Sequence, residues 1–412
     1  MSAQPHLACR FCGAGLTQTL VDLGHTPLAN SYVDPARAGT PDPAYPLCAR
    51  VCGSCFLVQV EDAVPAAAIF SDYAYFSSFS TSWIEHARHY AAAMATRFGL
   101  GGASLVIEIA SNDGYLLRHF KDMSIPVLGV EPAANVARAA EALGVPTEVA
   151  FFGVETARRL AAGGRRADLM AANNVLAHVP DINDFVGGVP LLLKPQGVWT
   201  IEFPHLLNLL REVQFDTIYH EHYSYLSLLF IERLMARHGL RVFDVERLPT
   251  HGGSLRVFVC HHGAEHAEAA GLVAARRQEA AAAMDRLETY AGFEPRVRDL
   301  RDRTLAVLRA ARAEGRAVVA YGAAAKGNTF LNYCGIGTDL IAYVVDRNPA
   351  KQGHLLPGSR LPIHDPSRVF ETKPDYLLIL PWNLATEISG QMAAIRGWGG
   401  RFVTAVPEIR LF

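Results

Sequence analysis

The segment FDTIYHEHYSYLS, residues 215–227, concentrates side chains that exchange protons. Two histidines flank Glu221, and tyrosines occupy positions 219, 223 and 225. Histidine titrates near neutral pH and is the commonest general base in enzymes. The apolar flanks indicate partial burial, and buried polar groups need partners. The pattern favours an acid–base site, and a structural hydrogen-bond network is the alternative.

Metal binding is a further alternative for the same segment. In a strand, His220 and His222 would share one face and could act as a His-x-His pair, although no third ligand is evident. The His-Glu-x-x-His motif of zinc peptidases is absent, because position 224 is serine.

Four of the seven cysteines form two Cys-x-x-Cys pairs, Cys9 with Cys12 and Cys52 with Cys55. Two such pairs supply the four thiolates of a tetrahedral zinc site, and Gly13 and Gly53 suit the tight turns that the pairs need. Because four sulfur ligands leave no open coordination position, the zinc is expected to be structural. Unrelated thiols and a redox pair are the alternatives.

The composition excludes several classes of protein. The 412 residues are half hydrophobic, so the chain can form two or three domains. A formal net charge of −2 gives no polybasic signal for nucleic acid or anionic lipid. The start, MSAQPHLACRFC, lacks a signal-peptide core, and no run approaches the about 18 apolar residues of a membrane span. We expect a cytoplasmic protein, monomeric or weakly dimeric, without nucleic-acid or membrane partners.

The middle of the chain alternates short apolar runs with helix-like segments. The predicted strands are residues 104–110, 126–131, 167–173 and 197–203. Strands alternating with amphipathic helices indicate a doubly wound parallel sheet, whose ligand crevice lies beyond the carboxyl ends of the strands.

Acidic and amide side chains follow these strands, without a glycine-rich fingerprint. Glu108 lies in the first strand, and the turn ASNDG (110–114) has one glycine, so a dinucleotide fits poorly. Glu131 ends the second strand, where a carboxylate can bind ribose hydroxyls. These groups favour a cationic ligand without phosphates, such as S-adenosylmethionine. Simple helix capping is the alternative.

The last third repeats the alternation. Residues 264–314 have helical spacing that Pro295 is expected to break into two helices. A strand, a tight glycine turn and a helix are predicted over 317–337, and the stretches 340–353, 375–380 and 401–406 continue the alternation. The turn at Gly322 offers a helix N-terminus beside Lys326, which favours a phosphate. A folding turn with a surface lysine is the alternative. A tyrosine-rich stretch, residues 71–83, is consistent with either a polar pocket or a packed linker.

Taken together, several stretches resemble the sugar C-methyltransferase family, whose members methylate C-3 of nucleotide-linked 4-keto deoxysugars. They are CRFCG, CGSC, VDLGHTPLAN, YAYFSS, EIASNDGYLL, GVEPAANVA, AHVPDINDF, FDTIYHEHYSYLS, RLPTHGGSLRVF and VVAYGAAAKGNTFLNYCGIG. Ala110 departs from the glycine of many methyltransferases, and its methyl is expected to point away from the cofactor. The resemblance implies an α/β protein with a zinc-binding domain (1–70), a Rossmann-like class I methyltransferase domain (71–260) and a second Rossmann-like domain for the nucleotide-sugar (261–412).

The resemblance also implies roles for individual residues. His222 would be the general base, Tyr219 a partner of substrate oxygens and Glu221 a partner of substrate hydroxyls, with Tyr75 and His178 near the sugar. The expected cofactor residues are Glu108, Ala110, Asn112, Asp113, Gly114, Glu131, Pro132, Asn173 and Asn174. The expected substrate residues are Ser77, Ser78, His251, Gly252, Tyr321, Gly322, Lys326, Asn328 and Asn332.

The sequence therefore predicts an S-adenosylmethionine-dependent C-methyltransferase that acts on a nucleotide-linked 4-keto deoxysugar. His222 would deprotonate C-3, and hydrogen-bond donors would stabilise the enolate. The alternatives are an O- or N-methyltransferase acting on a nucleotide-sugar, an NAD-dependent sugar dehydrogenase that uses the turn at Gly322, and a non-enzymatic zinc-ribbon adaptor.

Overall fold

The structure is a computed structural model that describes residues 7–62, 64, 77–79 and 81–412. The strands are β1 (Gln18–Thr26), β2 (Tyr45–Val51), β3 (Val58–Val60), β4 (Val106–Ile109), β5 (Val127–Val130), β6 (Thr147–Glu148), β7 (Ala167–Asn173), β8 (Leu193–Pro204), β9 (Ser224–Tyr225), β10 (Leu240–Leu248), β11 (Ser254–His261), β12 (Val318–Tyr321), β13 (Val344–Val345), β14 (Ile363–His364), β15 (Tyr376–Ile379), β16 (Arg401–Thr404) and β17 (Arg410–Leu411).

The helices of the same residues alternate with these strands. They are α1 (Thr81–Phe98), α2 (Leu117–Asp122), α3 (Ala134–Ala142), α4 (Val154–Ala162), α5 (Ile182–Leu192), α6 (Leu206–Arg211), α7 (Leu228–Arg237), α8 (Ala270–Ala281), α9 (Glu288–Ala291), α10 (Phe293–Ala313), α11 (Ala325–Cys334), α12 (Arg368–Thr372) and α13 (Ala385–Gln391). None of these helices has both the length and the apolar composition that a bilayer span needs.

The N-terminal part forms an antiparallel sheet in the order β1-β2-β3-β9. Its fourth strand comes from the tyrosine–histidine segment in the middle of the chain, where Tyr225 pairs with Val58 and Ser224 with Gln59. The Val60 N–H also donates to the Tyr223 carbonyl at 3.1 Å. The segment predicted to do acid–base chemistry is therefore part of the N-terminal sheet.

The four cysteines of the two pairs converge in this part of the protein, with their Sγ atoms all within 4.8 Å of one another. Cys9 Sγ lies 3.5 Å from Cys55 Sγ, and Cys12 Sγ lies 3.5 Å from Cys52 Sγ. Zn–S bonds of about 2.3 Å in a tetrahedron place sulfurs just under about 4 Å apart, so the thiolates fit a zinc ion.

The turns of the two cysteine pairs are closed by equivalent residues. The N–H of Gly13 donates to the Cys9 carbonyl, and that of Phe56 to the Cys52 carbonyl, each at 2.9 Å. Both residues have left-handed backbone, with φ of 76° and 62°. Gly53 lies in the second turn as expected, but the left-handed residue of that turn is Phe56.

The central sheet has seven strands in the order β10-β11-β8-β7-β4-β5-β6. The five strands from β8 to β6 are parallel, and β11 runs antiparallel between β8 and β10. Helices cover both faces, so the central strands are buried on both sides and read as continuous apolar runs. The predicted doubly wound α/β fold is confirmed here.

The C-terminal sheet has the order β14-β13-β12-β15-β16-β17, and only β17 is antiparallel within it. Its apolar contacts continue through α9 and α10 into the N-terminal sheet, so one core joins the two ends of the chain. The division at residues 70 and 260 stays a prediction.

The predicted helix break at Pro295 was wrong. Pro295 lies in the first turn of α10, and the helical region is interrupted earlier, between residues 282 and 287 and again at Gly292. Proline is tolerated in a first turn, because the N–H groups there have no intrahelical acceptor to lose.

We expect Cys52→Ser to abolish zinc binding and to lower the free energy of unfolding by about 4 kcal/mol or more. The reason is that a closed four-thiolate site loses a ligand. The measurements are zinc content by mass spectrometry, thermal unfolding, and hydrogen exchange of the peptide covering residues 220–226. The control is Cys48→Ser, which changes a buried thiol outside the cluster, so the protein with this substitution should keep its bound zinc. Full zinc content in Cys52→Ser would contradict the assignment.

Candidate active site

A cavity of about 1090 Å³ opens where the three parts of the chain meet. The central sheet contributes residues that directly follow β4, β5 and β7, which is the carboxyl edge of a parallel sheet. The lining includes these predicted site residues: Ser77, Ala110, Asn112, Glu131, Pro132, Asn173, Asn174, His178, Tyr219, Glu221, His222, His251 and Lys326. No cysteine is among the described lining residues.

The turn after β4 is held against the end of β5 by a buried carboxylate. Glu131 accepts hydrogen bonds from the backbone N–H groups of Asn112 and Ala133, both at 2.9 Å. Burial raises the pKa of this carboxyl group, and the two N–H donors oppose that rise. Ala110 and Asn112 have left-handed φ values of 55° and 51°. The methyl group of Ala110 therefore stands on a strained backbone, which the sequence did not reveal.

Two asparagines after β7 offer unused acceptors at the cavity. The Oδ1 atoms of Asn173 and Asn174 are buried and have no hydrogen-bond partner among the described residues. Buried acceptors of this kind are expected to be satisfied by a ligand or water. Together with Glu131, which follows β5 on the far side of β4, they form a polar site along the carboxyl edge that fits the ribose and amino-acid groups of S-adenosylmethionine.

Other predicted cofactor residues support this wall from within or from behind. Asn112 Oδ1 and Asp113 Oδ2 accept hydrogen bonds from the N–H groups of Ser77 and Ser78, at 2.9 and 3.1 Å. Glu108 is buried beneath the turn, where desolvation raises the pKa of its carboxyl group. A Cβ at Gly114 would lie 3.2 Å from Ala140 Cβ, so this glycine serves packing. Tyr75 lies outside the described residues.

His222 presents a defined tautomer to the cavity. Its Nδ1 lies 3.0 Å from the Thr217 carbonyl, which can only accept, so Nδ1 carries the hydrogen. The lone pair is then on Nε2, which accepts from the Tyr219 hydroxyl at 2.9 Å. Burial, reinforced by His178, lowers the pKa of His222 well below 6.5. The imidazole is therefore neutral near neutral pH and able to accept a proton.

Two more histidines surround His222. His178 donates from Nδ1 to the Glu221 carbonyl at 2.7 Å, and its ring centroid lies 4.6 Å from that of His222. His251, at a left-handed φ of 53°, accepts from Asn174 Nδ2 at 3.3 Å. Burial lowers the pKa of each of these two imidazoles to about 4. All three imidazole rings are therefore uncharged near neutral pH, and each has one nitrogen that donates a hydrogen bond and one that accepts.

The C-terminal part closes the cavity with Lys326 in the first turn of α11. Its Nζ donates to Asn383 Oδ1 at 2.8 Å and lies 5.0 Å from the Trp382 ring. Trp382 in turn donates to Asp216 Oδ2 at 2.7 Å. Burial raises the pKa of Asp216 to about 6 and lowers that of Lys326.

Several predicted substrate residues are not on the cavity wall. Asn332 donates to the carbonyls of Asn328 and Pro357, within and beside α11. Tyr321 is buried at the end of β12, and its hydroxyl lies 3.4 Å from Gln391 Oε1.

The predicted glycines serve packing. A Cβ on Gly252 would approach Trp382 to 2.3 Å, and one on Gly322 would approach Pro381 to 2.4 Å. Both also have positive φ, of 86° and 97°. Neither glycine is among the described residues that line the cavity.

Sequence reasoning missed lining residues that are far apart in the chain. They are Asn30, Tyr32, Trp83, His86, Tyr115, Lys351 and Asn383. Three of them stood in stretches already singled out for a pocket or by the resemblance: Asn30 in VDLGHTPLAN, Trp83 at the end of the tyrosine-rich stretch 71–83, and Tyr115 in EIASNDGYLL. His86 pairs with the buried Glu202 at 2.9 Å, which no spacing in the sequence indicates.

The seven-stranded sheet with its polar carboxyl edge defines an S-adenosylmethionine-dependent methyltransferase, and comparisons with known proteins agree. Three family models match successive parts of the chain: a proposed zinc binding domain (residues 9–70), a methyltransferase domain (83–245) and a C-methyltransferase C-terminal domain (249–407). C-methyltransferase NovU from Streptomyces niveus is 36% identical over 407 residues, which are 98% of this chain and 96% of that protein.

Solved methyltransferase structures match part of the chain at low sequence identity. Magnesium protoporphyrin IX methyltransferase (ChlM) from Synechocystis PCC 6803 with bound SAM is 13% identical, with a TM-score of 0.34, and the match covers 43% of this chain and 79% of that chain. For 1,6-didemethyltoxoflavin-N1-methyltransferase from Burkholderia thailandensis the identity is 18% and the TM-score 0.34, over 45% and 83% of the two chains.

The chain belongs to the S-adenosylmethionine-dependent C-methyltransferase family. Its cofactor is S-adenosylmethionine, and its four-cysteine cluster is a zinc site. The non-enzymatic adaptor and the dehydrogenase are thereby set aside, and carbon is favoured over oxygen or nitrogen as the methyl acceptor.

We expect Glu131→Ala to weaken binding of S-adenosylhomocysteine at least about tenfold, because a hydrogen bond to a charged group contributes about 1.5–3 kcal/mol. Isothermal titration calorimetry measures the affinity. Glu141→Ala, at an exposed position of α3, is the matched control and should bind as the wild type does. Unchanged affinity in a folded Glu131→Ala protein would contradict the placement of the cofactor.

Proposed function

We propose that this enzyme methylates a carbon, C-3, next to the 4-keto group of a nucleotide-linked deoxysugar. The observation that carries the proposal is the neutral His222 with the lone pair of its Nε2 at the wall of a cavity shared by all three parts of the chain. A volume of about 1090 Å³ exceeds the usual range of about 300–1,000 Å³ for one small ligand. It leaves room for a cofactor and a nucleotide-sugar together.

The chemistry follows from the acidity of a carbon beside a ketone. In the proposal, the proton of C-3 moves to Nε2 of His222, and the electron pair of the C–H bond delocalises onto the keto oxygen as an enolate. The hydrogen on Nδ1 stays bound to the Thr217 carbonyl, which stabilises the imidazolium that forms. S-adenosylmethionine, when bound, supplies an electrophilic methyl group on a sulfonium centre.

Tyr219 has a complementary role in this proposal. A phenol is a weaker acid than an imidazolium by about 3.5 pKa units, so the hydroxyl hydrogen stays on oxygen and His222 keeps its lone pair. We infer that the hydroxyl, which donates to Nε2 at 2.9 Å in the free protein, turns to the keto oxygen when the substrate C–H takes its place. The same donor then stabilises the enolate.

The remaining cavity groups are proposed to hold the rest of the substrate. Glu221 and His178 would accept from sugar hydroxyls. Lys326 would bind the diphosphate at the N-terminus of α11, where Ala324 has no side chain that caps the helix. Uncapped N–H groups and a lysine together favour a bound anion.

We expect His222→Asn to lower kcat by about 10²–10⁴-fold, the usual contribution of a general base. The variant should also lose exchange of the C-3 hydrogen with solvent deuterium, measured by mass spectrometry on a 4-keto nucleotide-sugar. His220→Asn is the matched control, because that imidazole faces the Pro46 carbonyl and not the cavity. Intact exchange in His222→Asn, with methylation lost, would show that another group is the base.

The pH dependence of kcat should follow the lowered pKa of His222. The base works when unprotonated, and its pKa lies well below 6.5, so protonation of His222 removes activity only at more acidic pH. We therefore expect no loss from this group between about pH 8 and pH 6.5. Initial rates across this range test the expectation, and a titration with a midpoint above 6.5 that vanishes in His222→Asn would contradict it.

A further inference from the structure

A segment of the zinc-binding part lines the cavity beside Glu221, the proposed partner of the substrate hydroxyls. Leu28, Asn30, Ser31 and Tyr32 follow β1 directly and line the cavity. They overlap the stretch VDLGHTPLAN, to which the proposed mechanism gives no role. The turn of the first cysteine pair, Cys9 and Cys12, and then β1 precede this segment in the chain. The segment therefore belongs to the part that carries the zinc ligands.

The segment is anchored on the C-terminal part of the protein. The Tyr32 hydroxyl donates to the Ala323 carbonyl at 2.7 Å, just before α11. Val33 and Leu355 exchange two backbone hydrogen bonds, at 2.9 and 2.8 Å. These contacts fix both the position and the direction of the residues that immediately precede them, including Asn30.

Asn30 contacts a side chain of the acid–base segment. Its Nδ2 donates to Glu221 Oε1 at 2.7 Å, across 191 positions of the sequence. Glu221 is only 6% exposed and lines the cavity. Burial raises the pKa of its carboxyl group, and the hydrogen bond from Asn30 lowers it. The amide therefore both orients the carboxylate and favours its charged form.

We propose that Asn30 is a positioning residue, whose amide holds the Glu221 carboxylate in the orientation that receives the hydroxyls of the acceptor. The inference rests on the proposed function, in which Glu221 binds the substrate. One oxygen of the carboxylate is taken by Asn30, so the other is directed to the acceptor. The zinc-binding part thus completes the acceptor site through one amide group.

A double-mutant cycle with Asn30→Ala and Glu221→Ala tests the inference. Asn30→Ala should lower kcat/KM for a 4-keto nucleotide-sugar about tenfold or more in the wild-type background, because the lost bond is to a charged group. In the Glu221→Ala background it should change kcat/KM less than about twofold. Affinity for S-adenosylhomocysteine should stay at the wild-type value. Gln18→Ala, an exposed amide on β1 outside the cavity, should leave all values unchanged.

Additive losses in the cycle would overturn the inference, because Asn30 would then act independently of Glu221. Failure of the proposed function is visible separately, as a wild-type enzyme that turns over none of the 4-keto nucleotide-sugars supplied. In that case the cycle is read from the melting temperatures of the same four proteins. Non-additive shifts in melting temperature would support the positioning of Glu221 by Asn30, and additive shifts would refute it.

Discussion

The pairing of β9 with β3 is the constraint on which the candidate site depends. Gln59 pairs through its backbone with Ser224, while its side-chain amide donates to Cys9 Sγ at 3.2 Å and its Oε1 accepts from the Arg10 N–H at 2.9 Å. One buried residue thus joins a zinc ligand to the strand that follows His222. Zinc held by Cys9 would thus restrain, through Gln59, the strand that follows His222.

In the proposed mechanism, burial of the histidines provides the base and limits its strength. Desolvation keeps His222 neutral, with the lone pair on Nε2, so no proton has to leave before catalysis. The same lowered pKa makes the imidazole a weak base toward a carbon acid. In this mechanism the enolate must be stabilised by hydrogen-bond donors, and a low local dielectric strengthens each of them. The proposed base and the hydrogen-bond donors thus depend on the same desolvated environment.

The parts of the fold that depend on local patterns were predictable. The strand predicted at 167–173 is β7 itself, and the other three central strands were placed to within a few residues. The pairing of β9 with β3 was not predictable, because two residues form the strand and its partner lies far away in sequence. The glycines show another limit: the structure gives Gly252 and Gly322 a packing reason, against Trp382 and Pro381, and the sequence cannot distinguish packing from ligand approach. Cavity residues such as Asn30 and His86 meet only through tertiary structure.

Backbone strain marks the same cavity independently of its side chains. Four of the ten non-glycine residues with positive φ in the described part of the chain, Ala110, Asn112, Asn174 and His251, line it. Asparagine tolerates this region, whereas alanine and histidine pay about 1–2 kcal/mol for it. The strain at the first turn is offset by bonds that span it: the Ala110 N–H donates to the Val130 carbonyl at 2.7 Å, and the Asn112 N–H to Glu131. Left-handed alanine and histidine thus mark the turn after β4 and the turn before β11 as strained parts of the cavity wall.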